Sequence, residues 1–267
     1  MTFSGSPSAA RLIEILQQQA GDGLAIACSG GVDSSLLAWA AREAGLAPLL
    51  PVFFRTPLNT REDEAAAWEM AQFLGLSLET VAVDVLALEA VAMNSRNRCY
   101  CCKKALFQAL RNLAARRGIS QIAEGSNQDD LGQYRPGAAA CRELGVLQPL
   151  ILAGLGKVEI RALARDIGLP MAERPASPCL ASRFPYDTAL CRDKLAQAEA
   201  GEALIRELGF REFRLRCHDH FCRIELHPEQ WPRLLVQREA LVTGLKALGW
   251  QRITLDLEGF ASGSFDR

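Results

Sequence analysis

Two kinds of residue in this 267-residue chain are spaced for chemistry. The first is a run of glycines and hydroxyls, Ser29-Gly30-Gly31-Val32-Asp33-Ser34-Ser35, lying between the apolar segment Leu24 to Cys28 and a helical pattern that continues from Leu36. Adjacent glycines let a backbone approach a phosphate and aim successive N–H groups at it. The helix dipole and the Ser34 and Ser35 hydroxyls add to the attraction. Asp33 cannot donate to an anion; a carboxylate there suits a bound Mg²⁺ or an N-cap. The second kind is thiol. Arg98-Cys99-Tyr100-Cys101-Cys102-Lys103-Lys104 stands ahead of an amphipathic helix, where dipole and lysines favour thiolate at Cys99 or Cys102. Farther on, Glu173-Arg174-Pro175-Ala176-Ser177-Pro178-Cys179-Leu180-Ala181-Ser182-Arg183 holds one cysteine in a proline-framed loop that can aim it at a ligand.

Three thiolates from Cys99, Cys102 and Cys179 would leave one iron of a [4Fe–4S] cube without a protein ligand. Tetrahedral zinc would need a fourth ligand that this pattern does not name. A thioredoxin-like redox role also fits C-x-x-C-K opening a helix, although the glycine loop does not belong to that fold. Cys28, Cys141, Cys191, Cys217 and Cys222 read as small buried hydrophobes. Two rival phosphate motifs fail. Gly154-Leu155-Gly156-Lys157-Val158 lacks both the first glycine and the hydroxyl of a Walker loop, and no G-x-G-x-x-G is present.

The elements that must position these groups follow from periodicity. Apolar strand runs at Leu24 to Cys28, Leu49 to Phe54, Leu78 to Val83 and Gln121 to Glu124 alternate with helical periods at Ala9 to Gln19, Ser34 to Ala44, Arg61 to Leu74, Lys103 to Arg117 and Val158 to Ile167. Several helices stop at glycine (Gly45, Gly75, Gly118, Gly168). The rhythm predicts an α/β fold with a parallel sheet covered on both faces. Gly125-Ser126-Asn127-Gln128-Asp129-Asp130 then falls at the carboxyl edge of that sheet, where Asp129 or Asp130 could hold Mg²⁺ or a ribose, or simply form an Asx turn.

Periodicity fails over Met171 to Thr188. Beyond it the sequence predicts a helix at Leu190 to Leu208, two strands in Phe213 to Leu226 around Asp219-His220, a helix at Pro228 to Leu248 and a strand at Arg252 to Leu257. The expected division is a domain over 1–186 and a smaller α+β module over 187–267. Arg214, Arg216 and His218 alternate with Phe213, Leu215 and Cys217, which puts the basic groups on one strand face; Arg223 and Glu225 can share it. Paired guanidinium forks suit a phosphate; a solvated face is the plainer alternative.

Composition bounds the rest. At 49% hydrophobic and 23% charged the chain is ordinary globular material. Lys+Arg of 30 against Asp+Glu of 31 gives no global field for nucleic acid or anionic membrane. No apolar run approaches the ~20 residues of a bilayer span, and Met1 to Ala10 does not resemble an export signal. A cytoplasmic protein with reduced thiols is expected, with a homo-oligomer as its assembly.

SGGVDS resembles the signature of the PP-loop (Rossmann-like) ATP pyrophosphatases, a resemblance that implies AMP transfer with pyrophosphate held in the loop. With RCYCCKKALF, GSNQDDLGQYRPG (125–137), PASPCLASRFPY (175–186) and LDLEGFASGS (255–264), nearly the whole chain resembles the LarE family of ATP-dependent sulfur transferases of nickel-pincer nucleotide synthesis. The resemblance implies ATP and Mg²⁺ as cofactors, the latter with Asp33, and an ATP site at Ser29, Gly30, Gly31, Val32, Asp33, Ser34, Ser35, Gly125, Asn127, Asp129 and Asp130. It further implies a pyridinium dicarboxylate mononucleotide as substrate, with its phosphate on Ser182, Arg183, Arg214 and Arg216, and acidic site residues at Glu202 and Glu225. Cys179 is then the sulfur-transferring thiol. Some members spend this cysteine sacrificially; a Cys99, Cys102 and Cys179 set resembles those carrying a [4Fe–4S] cluster, the form expected here. A tRNA-thiolating enzyme and a non-catalytic iron–sulfur carrier are the alternatives. Two residues depart from the family pattern: Ala261, where arginine is common, and Asp187, where glycine is usual.

Overall fold

A computed structural model describes residues 6–132 and 135–260. In chain order the elements are α1 (Pro7–Gln19), β1 (Leu24–Ala27), α2 (Val32–Glu43), β2 (Leu49–Arg55), α3 (Arg61–Leu74), β3 (Glu79–Ala82), α4 (Glu89–Ala92), α5 (Arg98–Arg116), β4 (Gln121–Ala123), α6 (Gly137–Glu143), α7 (Pro149–Leu152) and α8 (Lys157–Asp166). They continue with α9 (Arg192–Glu207), β5 (Phe213–Cys217), β6 (Phe221–Leu226), α10 (Trp231–Val236), α11 (Arg238–Ala247) and β7 (Arg252–Leu255). Contacts divide the chain into one unit of Met1–Val85 with Asn97–Ser177 and a second of Leu86–Arg96 with Pro178–Arg267. The division therefore falls after Ser177 instead of after residue 186, and an eleven-residue piece from mid-chain groups with the second unit.

In the first unit a four-stranded sheet runs in the order β3-β2-β1-β4 with every pair parallel. Alternation along β1 sends Leu24 and Ile26 to one apolar cluster, with α1, α2 and α8, and Ala25 to the other, with Phe107, Leu110 and Leu113 of α5. A strand buried on both faces must read as a continuous apolar run, as Leu24 to Ala27 does. Removing a side chain such as Phe53 or Leu36 from this packing would cost about 3–5 kcal/mol. Helix α3 begins with a reciprocal Thr60–Asp63 capping box and ends at left-handed Gly75, which fixes the bounds its sequence predicts. Because β2 and β4 flank β1, the winding direction reverses at β1, and the loops after β1 and β4 border the resulting crevice.

The second unit has a three-stranded sheet, β5-β6-β7, antiparallel then parallel. Helix α9 packs closely on it through Gly201, where a Cβ would lie 2.6 Å from Leu215 and 2.9 Å from Trp250. The mid-chain piece belongs here because of Asn94. Fully buried and left-handed (φ 51°), it donates its side-chain amide to the carbonyl oxygens of Ala181, Phe184 and Pro185 at 3.4, 3.2 and 2.7 Å. That amide braces the proline-framed loop.

Three expectations need correction. The helix predicted from Lys103 starts at Arg98, so the cysteines ride on its first turns instead of preceding it; Arg98 is itself buried, and packing extends the helix. The single helix predicted over 228–248 is a 3₁₀ turn at Pro228–Gln230 followed by α10 and α11, broken at Gln237. Pro232 cannot donate within a helix interior and so sits in the first turn of α10. Cys191, expected in the core, is exposed at the N-cap of α9. Asp187 adopts φ 60°, the left-handed conformation that explains a usual glycine and that aspartate tolerates better than most residues. Ala261 lies outside the described residues, as does the Gln133-Tyr134 pair of the 125–137 motif.

Candidate active site

The loop after β1 carries the expected geometry. Gly30 is left-handed (φ 75°) and Gly31 is the N-cap of α2. The Ser34 and Ser35 hydroxyls donate back to the Gly31 carbonyl at 3.1 and 2.9 Å, while Ser34 Oγ accepts from the Ser29 N–H at 3.2 Å. The N–H groups of Val32, Asp33 and Ser34 have no acceptor within the helix and are available to an anion. The loop after β4 closes against this turn at Gly125, where a Cβ would stand 2.8 Å from the Ser34 nitrogen. Any larger residue there would push the two loops apart.

Asp33 is not the N-cap. It sits in the first turn of α2, where Oδ2 accepts from Lys157 Nζ at 2.5 Å and buried Oδ1 has no hydrogen-bond partner among the described residues. The orphaned oxygen fits a hard cation. Mg²⁺ commonly takes one or two carboxylates and completes its shell with phosphate oxygens and water. Lys157, whose segment fails as a Walker motif, is a site residue that sequence spacing missed. The fold brings it 124 positions along the chain to Asp33. Asp129 accepts the Lys157 backbone N–H at 2.7 Å, capping α8, and Asp130 caps its own turn at Asn127 and pairs with Arg135. Asn127 and Asp130 thus close the Asx-type turn with their side chains, while that of Asp129 reaches out of it to α8.

Cys99 and Cys102 lie three residues apart in α5 and share a helix face; they and Cys101 are partly exposed. Below them Lys103 donates to Glu124 at 3.0 Å, and Gln148 donates to the other Glu124 oxygen at 2.8 Å. Burial alone would lower the Lys103 pKa and raise that of Glu124. The opposite charges outweigh it, holding the ammonium above and the carboxylate below their ordinary values. All nine cysteines are thiols, and burial pushes Cys28, Cys141 and Cys222 up to about 12 and Cys217 higher still. Among the described residues no group of three or more His, Cys, Asp or Glu could hold a metal ion.

In the second unit Cys179 opens a 3₁₀ turn, Leu180–Arg183, whose groups return to it. Its carbonyl accepts from the Ser182 N–H and hydroxyl at 2.9 and 2.8 Å and from Arg183 Nη1 at 3.3 Å. Arg183 also forks onto Glu202 at 2.8 and 2.9 Å, and Arg216 donates to Glu225 and to the Ser182 carbonyl, both at 2.8 Å. These four side chains are at most 5% exposed. The plainer alternative, a solvated strand face, does not hold, since every residue of β5 is buried.

Arg214 differs from its neighbours. It is directly opposite Glu225 across the β5–β6 pair, yet Glu225 bonds diagonally to Arg216. Arg214 makes no hydrogen bond or ion pair among the described residues; its guanidinium lies 5.6 Å from the Phe260 ring centroid. Three buried guanidinium groups face two buried carboxylates, which leaves one positive charge uncompensated. Burial first, then Arg183, pushes Arg214 down to about 10. An isolated buried cation is costly, and a bound anion would offset that cost.

The loop at the switch point of a parallel sheet makes the chain a PP-loop ATP pyrophosphatase. NMN synthetase from Francisella tularensis shares the fold, with a TM-score of 0.52 and 20% identity over 65% of this chain and 76% of that one. No protein-family model matches. The chain is 37% identical over 244 residues to the uncharacterized protein slr1717 of Synechocystis, covering 91% of each. It is 35% identical over 239 residues to pyridinium-3,5-bisthiocarboxylic acid mononucleotide synthase of Lactiplantibacillus plantarum, covering 89% of this chain and 87% of that one. The chain belongs to that synthase's family, the LarE ATP-dependent sulfur transferases. The relatives do not favour a tRNA-thiolating enzyme or a non-catalytic carrier. Among the described residues no helix is long and apolar enough to cross a membrane.

Proposed function

We propose that this enzyme adenylates a carboxylate of a pyridinium dicarboxylate mononucleotide and converts it to a thiocarboxylate during nickel-pincer nucleotide synthesis. The carrying observation is the uncompensated Arg214 beside a turn whose hydroxyl and guanidinium are tied to the main chain of Cys179. A phosphate on Arg214, Arg216, Arg183 and Ser182 brings a substrate to the one thiol of the proline-framed loop. Glu202 and Glu225 keep Arg183 and Arg216 in place. The second unit is thus the substrate-binding one.

ATP rests its β and γ phosphates on Ser29 to Ser35, where Asp33 would hold Mg²⁺, an ion that would counter their charge. The substrate carboxylate oxygen attacks the α phosphorus, the α–β bridging bond breaks and pyrophosphate leaves. A sulfur nucleophile then attacks the acyl carbon and AMP departs with the carboxylate oxygen. Activation must precede sulfur entry because a carboxylate oxygen is a poor leaving group.

Cys99 and Cys102, on one face of α5, together with Cys179, would hold a [4Fe–4S] cluster, a group that supplies transferable sulfide. In the alternative reading Cys179 gives up its own sulfur. Iron and sulfide analysis of anaerobically prepared protein separates them: a cluster supports the first, whereas loss of one H₂S per chain after turnover, without iron, supports the second. For the reaction itself, protein, ATP, Mg²⁺ and the dicarboxylate mononucleotide should yield AMP, pyrophosphate and thiocarboxylate in equal amounts. ADP and orthophosphate would overturn the proposal.

A further inference from the structure

Arg174 has no part in the chemistry above, although it stands in the proline-framed run. Its side chain turns back to the nucleotide loop of its own unit. Nη1 donates to the Gly30 carbonyl at 2.8 Å and Nη2 to Asp63 Oδ1 at 2.9 Å. Asp63 is buried, and its other oxygen accepts the Thr60 N–H at 3.0 Å in the capping box of α3. Arg174 is itself anchored, because Arg161 Nη2 donates to its carbonyl at 2.8 Å. Gly30 meets the same helix end: a Cβ would lie 2.3 Å from the Asp63 carbonyl oxygen.

The consequence follows from peptide geometry. The carbonyl of Gly30 and the N–H of Gly31 belong to one planar trans peptide and point in opposite directions. A guanidinium that holds the oxygen on one side therefore holds the N–H on the other. In this structure the Gly31 N–H makes only a long bond to Ser29 Oγ, at 3.4 Å. A phosphate can displace so weak a partner. Without Arg174 this glycine–glycine peptide could flip, since neither residue has a side chain to resist it, and would then present a carbonyl oxygen to an anion.

We infer that Arg174 is a positioning residue of the nucleotide loop, fixing the Gly30–Gly31 peptide with its N–H toward the pyrophosphate of ATP by bridging the Gly30 carbonyl to the capped end of α3. The inference rests on the reading that this loop holds ATP's pyrophosphate. Titration calorimetry with inorganic pyrophosphate and with ATP tests the two separately. Wild-type protein that binds neither would remove the reading. Wild-type protein that binds both while Arg174→Met binds them equally well would remove only the role of Arg174.

The expected result is roughly tenfold weaker binding of both ligands by Arg174→Met, with unchanged affinity for the mononucleotide. Millimolar guanidinium, well below denaturing concentrations, should restore most of the loss. A purely structural arginine would lower Tm but give no such rescue, and that result would also overturn the inference. Arg174→Lys, which keeps the charge but not the fork, covers the case in which the methionine variant does not fold. It should lose several-fold in pyrophosphate affinity and regain it with guanidinium; wild-type affinity would again be decisive against the role.

Discussion

In the proposed reaction each of the two units receives a phosphate-bearing ligand, and they meet it with different materials. The loop of the first unit offers backbone N–H groups at a helix start, with a lysine already spent on Asp33. The cluster of the second offers buried guanidinium groups, two neutralised and one not. Backbone donors at a helix start bring only partial positive charge, far less than a guanidinium carries. A naked buried cation is paid for in stability. The nucleotide loop should therefore be sensitive to shape and indifferent to charge reversal at a distance, and the guanidinium cluster the opposite.

Five variants and one pH series would break or sharpen this contrast. The largest expected effect is on the loop. Gly30→Ala requires a side chain at φ 75° with its Cβ 2.3 Å from a carbonyl oxygen, so AMP formation should fall below detection. Asp33→Ala should do the same by removing the proposed Mg²⁺ ligand, and normal AMP output from that variant would refute the assignment. Second, Arg183→Met leaves the buried Glu202 carboxylate with only its longer pair to Arg206, at 3.7 Å. Its Tm should drop steeply, in line with the about 3–5 kcal/mol lost when one partner of a buried pair is removed.

Third, Arg214→Met should move stability and binding in opposite directions. The variant sheds an uncompensated buried charge, so its Tm should hold or rise, while its KM for the mononucleotide increases about ten- to a hundredfold. A fall in Tm as large as that of Arg183→Met would contradict the charge imbalance. The smallest effect is pH dependence. Arg214 has a folded pKa pushed down to about 10 from the ordinary arginine range, chiefly by burial, so above that value the unfolded chain binds the extra proton more readily. This group's contribution therefore makes the native state relatively more stable as pH rises through about 10, and mononucleotide affinity should weaken over the same range. Arg214→Met should show neither trend. For sulfur delivery, Cys179→Ala should still make AMP but no thiocarboxylate, as product mass would reveal.

How legible these regions were differs for the same reason. The glycine loop is local: strand, turn and helix start occupy consecutive residues, and Gly75 likewise marked the end of α3 in the sequence. The C-x-x-C run was harder, since only the burial of Arg98 carries α5 back over the cysteines. Pro232 did announce a helix start in the sequence, but the apolar pattern through it suggested continuity. Asn94 carried one usable signal, a residue type that tolerates left-handed backbone, yet nothing local tied it to a loop some 90 positions away.

The sequence by itself determined the elements and the chemistry of each ligand: glycines that bend toward a phosphate, alternating arginines, and a thiol framed by prolines. These depend on backbone preferences and on spacing within a few residues. Only the tertiary structure decided the pairing. That Lys157 reaches Asp33, that Arg174 grips the Gly30 carbonyl, and that Glu225 chooses Arg216 over Arg214 are outcomes of packing and register. Hydrogen bonds and ion pairs act over a few ångströms, and only folding brings groups so distant in sequence within that range.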